Sequence, residues 1–171
     1  VIAMHPGRSE AWVGLSQCKA ALGSFEEAFT TSEQAVAVCC TPQVLRNAVH
    51  MSMKLRDYAR ALRYAETILA QDDDVEVSLR RVVILVHLGK VQEALQWAYA
   101  LRNDHRRDVL ARIIYARVLF RMGHGEKARE ELEEMKAYGG TWTNVVASEL
   151  RRLTQPTLGE EALMLPEWVV V

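Results

Sequence analysis

The hydrophobic pattern along the chain repeats with a period of about 33 residues. Four alanines mark it at spacings of 33, 33 and 34 residues: Ala28, Ala61, Ala94 and Ala128. Each period has room for two amphipathic helices, whose apolar residues recur every three to four positions, joined by a tight turn. A repeat of this length is the signature of helix pairs that stack on one another. The pattern therefore predicts an all-α, right-handed α-solenoid of about four helix pairs.

The alanines set the register of the predicted elements, because we place them at position 20 of each repeat. The repeats then span residues 9–41, 42–74, 75–108 and 109–141. Before them, residues 1–8 read as the end of an upstream repeat; after them come a capping helix over 142–153 and an apolar tail over 154–171. The predicted helix pairs are 9–22 with 25–38, 42–55 with 58–70, 75–88 with 91–101, and 109–122 with 126–138.

The turn inside each pair has its own residue preference. Gly23, Gly89 and Gly123 follow the first helix at one repeat position, where a left-handed backbone is needed and glycine adopts it freely. Arg56 takes that position in the second repeat. We expect a local deviation there, either a strained arginine or a different turn. Before the third repeat, the run Asp72–Asp74 suits a helix N-terminus, and its spacing is not that of a calcium loop.

Composition narrows the function classes. The 171 residues are half hydrophobic and a quarter charged, with a net charge of −1, so no global field favours nucleic acid or membranes. No apolar run approaches the roughly 18 residues of a membrane helix, and no secretory leader opens the chain. Because the chain begins at Val1 and in mid-pattern, we expect a fragment of a longer protein. Three cysteines, two of them adjacent, make a poor disulfide framework and favour the cytoplasm.

No arrangement of residues indicates catalysis. The five histidines do not pair with another histidine, cysteine or glutamate at metal-ligand spacing. Cys39 and Cys40 lack the spacing of a redox or zinc motif. The sequence also has no glycine-rich phosphate loop and no nucleophile turn. We therefore predict a protein that is not an enzyme and that has no metal and no cofactor.

The recurring positions resemble the tetratricopeptide repeat. The first repeat carries the pattern Trp12, Leu15, Ser16, Gly23, Phe25, Ala28 and Ala35, and residues 89–94 and 123–128 are similar. The chain departs from this pattern at Lys19, Arg56 and Gly125, which loosens packing locally without shifting the register. Pentatricopeptide repeats are a rival with a slightly longer period, but they bind RNA and the near-neutral charge argues against them.

The resemblance implies a binding groove lined by the first helix of each pair. The groove residues that it implies here are Arg46, Asn47, His50, Lys54, Leu79, Arg80, Val83, Val86, His87, Ile113, Arg117, Phe120 and Arg121. They combine apolar patches with cations, while counter-charges such as Glu130 to Glu134 lie elsewhere. Such a groove suits an acidic peptide with apolar anchors, or an amphipathic helix. The alternative is an ordinary solvated helix face. A clamp for the carboxylate of heat-shock chaperones is matched at only two of five positions.

The leading functional prediction is a protein–protein interaction scaffold or adaptor, with a chaperone-like hold on a partner. The alternative is a regulatory or substrate-presenting segment of a larger enzyme. Nucleic-acid binding and membrane insertion are not expected. The apolar tail, EEALMLPEWVVV, should pack against its own chain or against a second copy, which would cause self-association. A partner-docking motif is the alternative for that segment.

Overall fold

A computed structural model describes residues 7–106, 108–137 and 142–153, and it contains helices and no strand over these ranges. The helices are α1 (Ser9–Ala21), α2 (Phe25–Val38), α3 (Pro42–Lys54), α4 (Tyr58–Leu69), α5 (Val75–His87), α6 (Val91–Asp104), α7 (Val109–Arg121), α8 (Gly125–Ala137) and α9 (Thr143–Leu153). Every predicted helix is present, and most bounds differ from the prediction by one residue. Helix α6 continues three residues further than predicted. The all-α fold is confirmed.

The chain divides into two compact units, one ending at Ser78 and the other starting at Leu79. In the first unit α1 packs on α2, α2 on α3 and α3 on α4, and α1 also contacts α3. In the second unit α6 packs on α7, α7 on α8 and α8 on α9, and α7 also contacts α9. Consecutive antiparallel packing, with each first helix touching the next first helix, is the arrangement of an α-solenoid. Helix α9 takes the place of the first helix of a further pair and caps the second unit.

The small residues at two repeat positions explain how closely the paired helices approach. The four alanines at position 20 are 0% exposed, and so are the residues at position 8, namely Ser16, Val49, Val82 and Ala116. In the first repeat the two positions touch directly, because the Ser16 hydroxyl donates a hydrogen bond of 2.8 Å to the carbonyl oxygen of Ala28. A larger side chain at either position would force the helices apart.

Polar side chains start several of the helices. Asp57 accepts a hydrogen bond of 3.0 Å from the backbone N–H of Arg60, and Asp108 accepts one of 2.8 Å from Leu110. Within the predicted acidic run it is Asp74 that caps α5, accepting from the N–H of Val77 at 3.0 Å. Each carboxylate satisfies an N–H group that has no partner inside its own helix.

Each unit has its own apolar core. The core of the second unit joins α7, α8 and α9 through Ile113, Ala116, Leu119, Ala128, Leu132, Met135 and Val146. The first unit has two smaller clusters, one of Val13, Ala35 and Val44 and one of Ala28, Phe29 and Met51. Helix α9 brings Val145, Val146, Leu150 and Leu153 to the larger core, which explains why this helix docks at the end of the repeats.

The turn at Arg56 has the same geometry as the glycine turns. Gly23, Gly89 and Gly123 have φ values of 81°, 76° and 81°, and Arg56 has a φ of 58°. The N–H of Arg56 donates to the carbonyl of Met53, as the glycine N–H groups donate to the carbonyls three residues before them. The expectation that this turn might differ is therefore wrong. The arginine adopts the left-handed conformation and bears its strain.

Two predicted segments, the end of an upstream repeat over 1–8 and the apolar tail over 154–171, lie largely or wholly outside the described residues. Within the described part of the chain, no helix is long and apolar enough to cross a membrane.

Replacing Arg56 by glycine should stabilise the protein by about 0.5–1 kcal/mol. The left-handed conformation costs an L-residue roughly 1–2 kcal/mol, and the greater freedom of glycine in the unfolded chain offsets part of that gain. Conversely, Gly89→Ala should destabilise by about 1 kcal/mol, although a Cβ there would meet no atom within 4 Å. Urea unfolding followed by circular dichroism measures both changes.

Arg56→Ala is the control, because alanine removes the arginine side chain and keeps the backbone strain. Equal stability of Arg56→Gly and Arg56→Ala would show that the strain costs nothing measurable.

Candidate functional site

In the first unit, the predicted groove residues lie on α3 and differ in accessibility. Lys54 is exposed and His50 is half-buried, whereas Asn47 is buried. The Asn47 side-chain amide donates to the Ser16 hydroxyl at 3.0 Å, so it holds α3 against α1. Arg46 is exposed, but its Nε lies 2.7 Å from the Asp74 carboxylate. Lys54 is therefore the clearest cation that this unit presents to a ligand.

Asp74 is held in its charged form by two partners. Burial on its own would raise the pKa of this carboxyl, but the hydrogen bond from the N–H of Val77 and the Arg46 guanidinium lower it further than burial raises it. One carboxylate thus caps α5 and fixes Arg46. The positive charge of Arg46 is already compensated within the chain, which reduces what it offers to an acidic peptide.

In the second unit, most of the predicted groove residues are buried: Leu79, Arg80, Val83, Val86, Ile113 and Arg117. His87 and Phe120 are half-buried, and Arg121 is exposed. Phe120 also packs against the apolar core of this unit. The accessible part of the predicted set is therefore smaller than the sequence indicated, and here it lies at the C-terminal ends of α5 and α7.

Arg117 binds a carboxylate of the chain itself. Its Nε and Nη2 donate to the two carboxylate oxygens of Glu149 on α9, at 2.9 Å and 2.7 Å. Both side chains are at most 5% exposed. Such a two-pronged, buried pair is among the strongest contacts that a guanidinium makes. The residue predicted to face a ligand instead anchors the capping helix.

A second group of charges joins three helices of the same unit. Glu131 on α8 is 8% exposed; it accepts from Arg102 on α6 at 2.8 Å and also forms an ion pair with Arg112 on α7. Arg112 additionally donates to Glu134 at 2.7 Å. Two of the glutamates that the sequence suggested as distant counter-charges are thus used for packing between helices.

The pKa of Glu131 reflects these contacts. Burial on its own would raise it, but the hydrogen bonds from Arg102 and Arg112 and their positive charges outweigh burial and lower it. The carboxylate form is therefore stabilised in the folded protein, which makes Glu131 a group whose protonation weakens the fold.

Nothing in the described ranges assembles a metal site, since no group of three or more histidine, cysteine, aspartate or glutamate side chains there could hold an ion. The three cysteines have free thiols.

Comparison with known proteins identifies the repeat. A sequence profile described as tetratricopeptide repeat matches residues 52–107. These residues run from the end of α3 to the turn after α6 and include Arg56, Ala61, Gly89 and Ala94. The chain carries tetratricopeptide repeats. No curated protein sequence matches the chain.

Solved tetratricopeptide repeat proteins share its fold. YrrB, described as having an unusual peptide-binding site, is 15% identical over 80% of this chain and 71% of its own, with a TM-score of 0.63. A tetratricopeptide repeat protein from Parabacteroides merdae ATCC 43184 is 16% identical over 89% of this chain, with a TM-score of 0.77; the match spans 61% of that protein. MamA from Desulfovibrio magneticus RS-1 is 18% identical over 85% of this chain and 78% of its own, with a TM-score of 0.67.

These likenesses establish the fold, because identities below 20% carry no ligand from one repeat protein to another. Tetratricopeptide repeats are scaffolds for protein–protein interaction, and the coarse functional prediction agrees with that. Peptide binding in YrrB is a property of YrrB.

The sequence analysis missed the roles of Glu149, Glu131 and Arg112. One signal was present for Glu149, since it interrupts an apolar stripe made by Val146, Leu150 and Leu153 on α9. A lone carboxylate in such a stripe needs a buried partner. Arg117 is that partner, but only the packing of α7 on α9 reveals it.

Removing one partner of the Arg117–Glu149 pair should cost far more than removing an exposed one. Glu149→Ala should destabilise the protein by about 3–5 kcal/mol, because the Arg117 charge stays buried without its carboxylate. The double variant Arg117→Met with Glu149→Leu should recover most of that loss. Guanidinium unfolding measures both.

Glu126→Ala supplies the matched control. Its pair with Arg129 has the same 2.7 Å separation, but both side chains are more than half exposed, so the expected loss is below about 1 kcal/mol. Similar losses for Glu149→Ala and Glu126→Ala would show that the buried pair does not hold α9.

Acid should weaken the protein partly through Glu131. Because its folded-state pKa is depressed, its contribution is complete above the pKa of an unfolded glutamate, about 4.3, and is lost as the pH falls through the lower folded value. Glu131→Gln should lower the free energy of unfolding by about 1–3 kcal/mol at pH 7 and flatten its decline below about pH 5.

Urea unfolding at stepped pH values tests this, with the exposed Glu130→Gln as control. An unchanged acid slope in Glu131→Gln would assign the acid sensitivity to other carboxylates.

Proposed function

We propose that this chain is a non-catalytic scaffold that binds a peptide or helical segment of another protein along the first helices of its repeats. The observation that supports this most directly is in the first unit. There α1 and α3 contact each other, the Asn47–Ser16 hydrogen bond holds them together, and Gln17 and Lys54 stay exposed. Two adjacent helices fixed from below provide the rigid, preorganised surface that a bound peptide needs.

The accessible side chains favour an acidic partner with apolar anchors. In the first unit Lys54 is exposed near half-buried His50 and Met53 on the same helix. In the second unit Arg121 is exposed and Phe120, next to it, is half-buried. Exposed cations attract carboxylates and steer their approach, while the half-buried side chains can accept an aliphatic or aromatic anchor. The binding residues that we propose are therefore a subset of those predicted from the sequence.

The cytoplasm is the proposed compartment. The support is the chemistry of Cys18, Cys39 and Cys40, which are free thiols and suit a reducing environment. Fractionation of cells that produce the tagged, full-length protein would test this.

Reversing the two accessible cations should weaken the binding of acidic peptides. A phage-displayed peptide library selects ligands on the wild-type chain, and titration calorimetry then compares the variants. Lys54→Glu combined with Arg121→Glu should lower the affinity for the selected acidic peptides roughly tenfold, since each exposed charge pair contributes about 0.2–1 kcal/mol and a reversal replaces attraction with repulsion.

Arg63→Glu combined with Lys127→Glu is the matched control, because it makes the same charge change at exposed sites on the second helices α4 and α8. Equal weakening by both double variants would indicate a non-specific charge effect. Selection of no peptide at all, or of peptides that neither variant affects, would contradict the proposed binding surface. Arg80 and Arg117 are unsuitable for this test because both are buried.

A further inference from the structure

The outer face of α1 is an apolar stripe that the fold leaves exposed. Ala11, Leu15, Cys18 and Leu22 follow one another at intervals of four, three and four residues, so they lie on one face of the helix and its C-terminal cap. Leu15 is 40% exposed and Leu22 is 83% exposed. We refer to these four residues as the α1 stripe. It lies opposite the side on which Val13 and Ser16 are buried.

The same positions are buried in the first helix of the next repeat. The equivalents in α3 are Val44, Ala48 and Met51, all at most 1% exposed, and half-buried Leu55. Helix α2 packs against α3, and Ala35 of α2 shares a core cluster with Val44. In the first unit, therefore, the second helix of one pair covers this face of the next first helix.

The second unit repeats this arrangement. The equivalent residues of α7 include Ala111 and Val118, both 0% exposed, with Tyr115 and Met122 half-buried. Helix α6 packs against α7, and a tilted contact of the Tyr99 and Tyr115 rings, 5.9 Å between centroids, lies between the two helices. Two independent examples in this protein thus show which element covers such a face.

The end of a repeat stack normally presents a polar outer surface, because an apolar face in water invites association. The α1 stripe contains no charged residue. A Cβ on Gly14, beside the stripe, would meet no atom within 4 Å, so the surface has room for a close-packed helix.

We infer that the α1 stripe is a docking site for an amphipathic helix of a partner protein, which lies on α1 as α2 lies on α3. The contact chemistry follows from the interface that is repeated inside the chain. Around Val44 it consists of Ala35 with the partly buried Val36 and Cys39, so the partner helix presents small and branched aliphatic side chains and no charge along its contact stripe. This site is separate from the peptide surface proposed above and does not depend on it.

Disulfide exchange at Cys18 tests this inference, because this exposed thiol lies within the stripe. The protein carries Cys39→Ser and Cys40→Ser, so Cys18 is its sole thiol. The probe is a synthetic peptide with the sequence of residues 24–38 and a cysteine at the place of Ser32. It is supplied as its mixed disulfide with glutathione. The Cys18 thiolate attacks the peptide sulfur, a protein–peptide disulfide forms, and glutathione leaves as the thiol.

The exchange constant, measured by mass spectrometry at equilibrium, should be about tenfold larger for this peptide than for a control that also carries Ala35→Glu, because tethering makes even weak packing measurable. The protein variant Leu22→Lys should remove that preference. Its exposure leaves the fold intact, which circular dichroism checks.

Three outcomes would overturn the inference. Equal exchange constants for the two peptides would show that the stripe does not select an apolar helix. Retention of the preference in Leu22→Lys would place the contact elsewhere. A Cys18–Cys18 dimer that forms in preference to the peptide adduct, and that sediments as a dimer after Cys18→Ser as well, would make a second copy of this chain the occupant.

Discussion

The close approach of the two helices in each repeat is the constraint on which the rest of this structure depends. Ala28, Ala61, Ala94 and Ala128 are completely buried, as are the residues at position 8 of each repeat. Small side chains at these crossings let the backbones come close enough for the Ser16 hydroxyl to reach the carbonyl of Ala28. Because every pair crosses in the same way, each presents a similar face to the next pair, and stacking follows from repetition.

Charged residues take part in this stacking to a degree that changes how the chain should be viewed as a binding protein. Arg117 anchors α9 through Glu149, and Glu131 joins α6, α7 and α8 through Arg102 and Arg112. A buried pair of this kind costs desolvation, but it specifies a single register better than aliphatic packing alone. Part of the positive charge that a first-helix surface could offer to a ligand is therefore spent on fixing neighbouring helices, and the remaining cations lie near helix ends.

The two ends of the described repeats differ in the same terms. Helix α9 closes the second unit by adding Val146 and Leu150 to its core and Glu149 to Arg117. Helix α1 offers Leu15 and Leu22 to solvent. The repeat geometry inside the chain defines what kind of element covers such a face, namely a helix with an uncharged aliphatic stripe.

The sequence by itself determined the fold class, the helix pairs and the turns, because these depend on local spacing. The 33-residue period, the glycines at left-handed positions and the apolar intervals needed no knowledge of distant contacts. Helix ends were predicted within about three residues, and the Arg56 turn was ambiguous because a single residue does not reveal whether strain or rearrangement costs less. The tertiary structure alone decided which side chains on the first helices remain available. Asn47, Arg80 and Arg117 have the composition of a binding surface, but their burial and partners depend on residues about thirty positions away, such as Ser16 and Glu149. Periodicity assigns a residue to a face of a helix, whereas only packing shows what lies against that face.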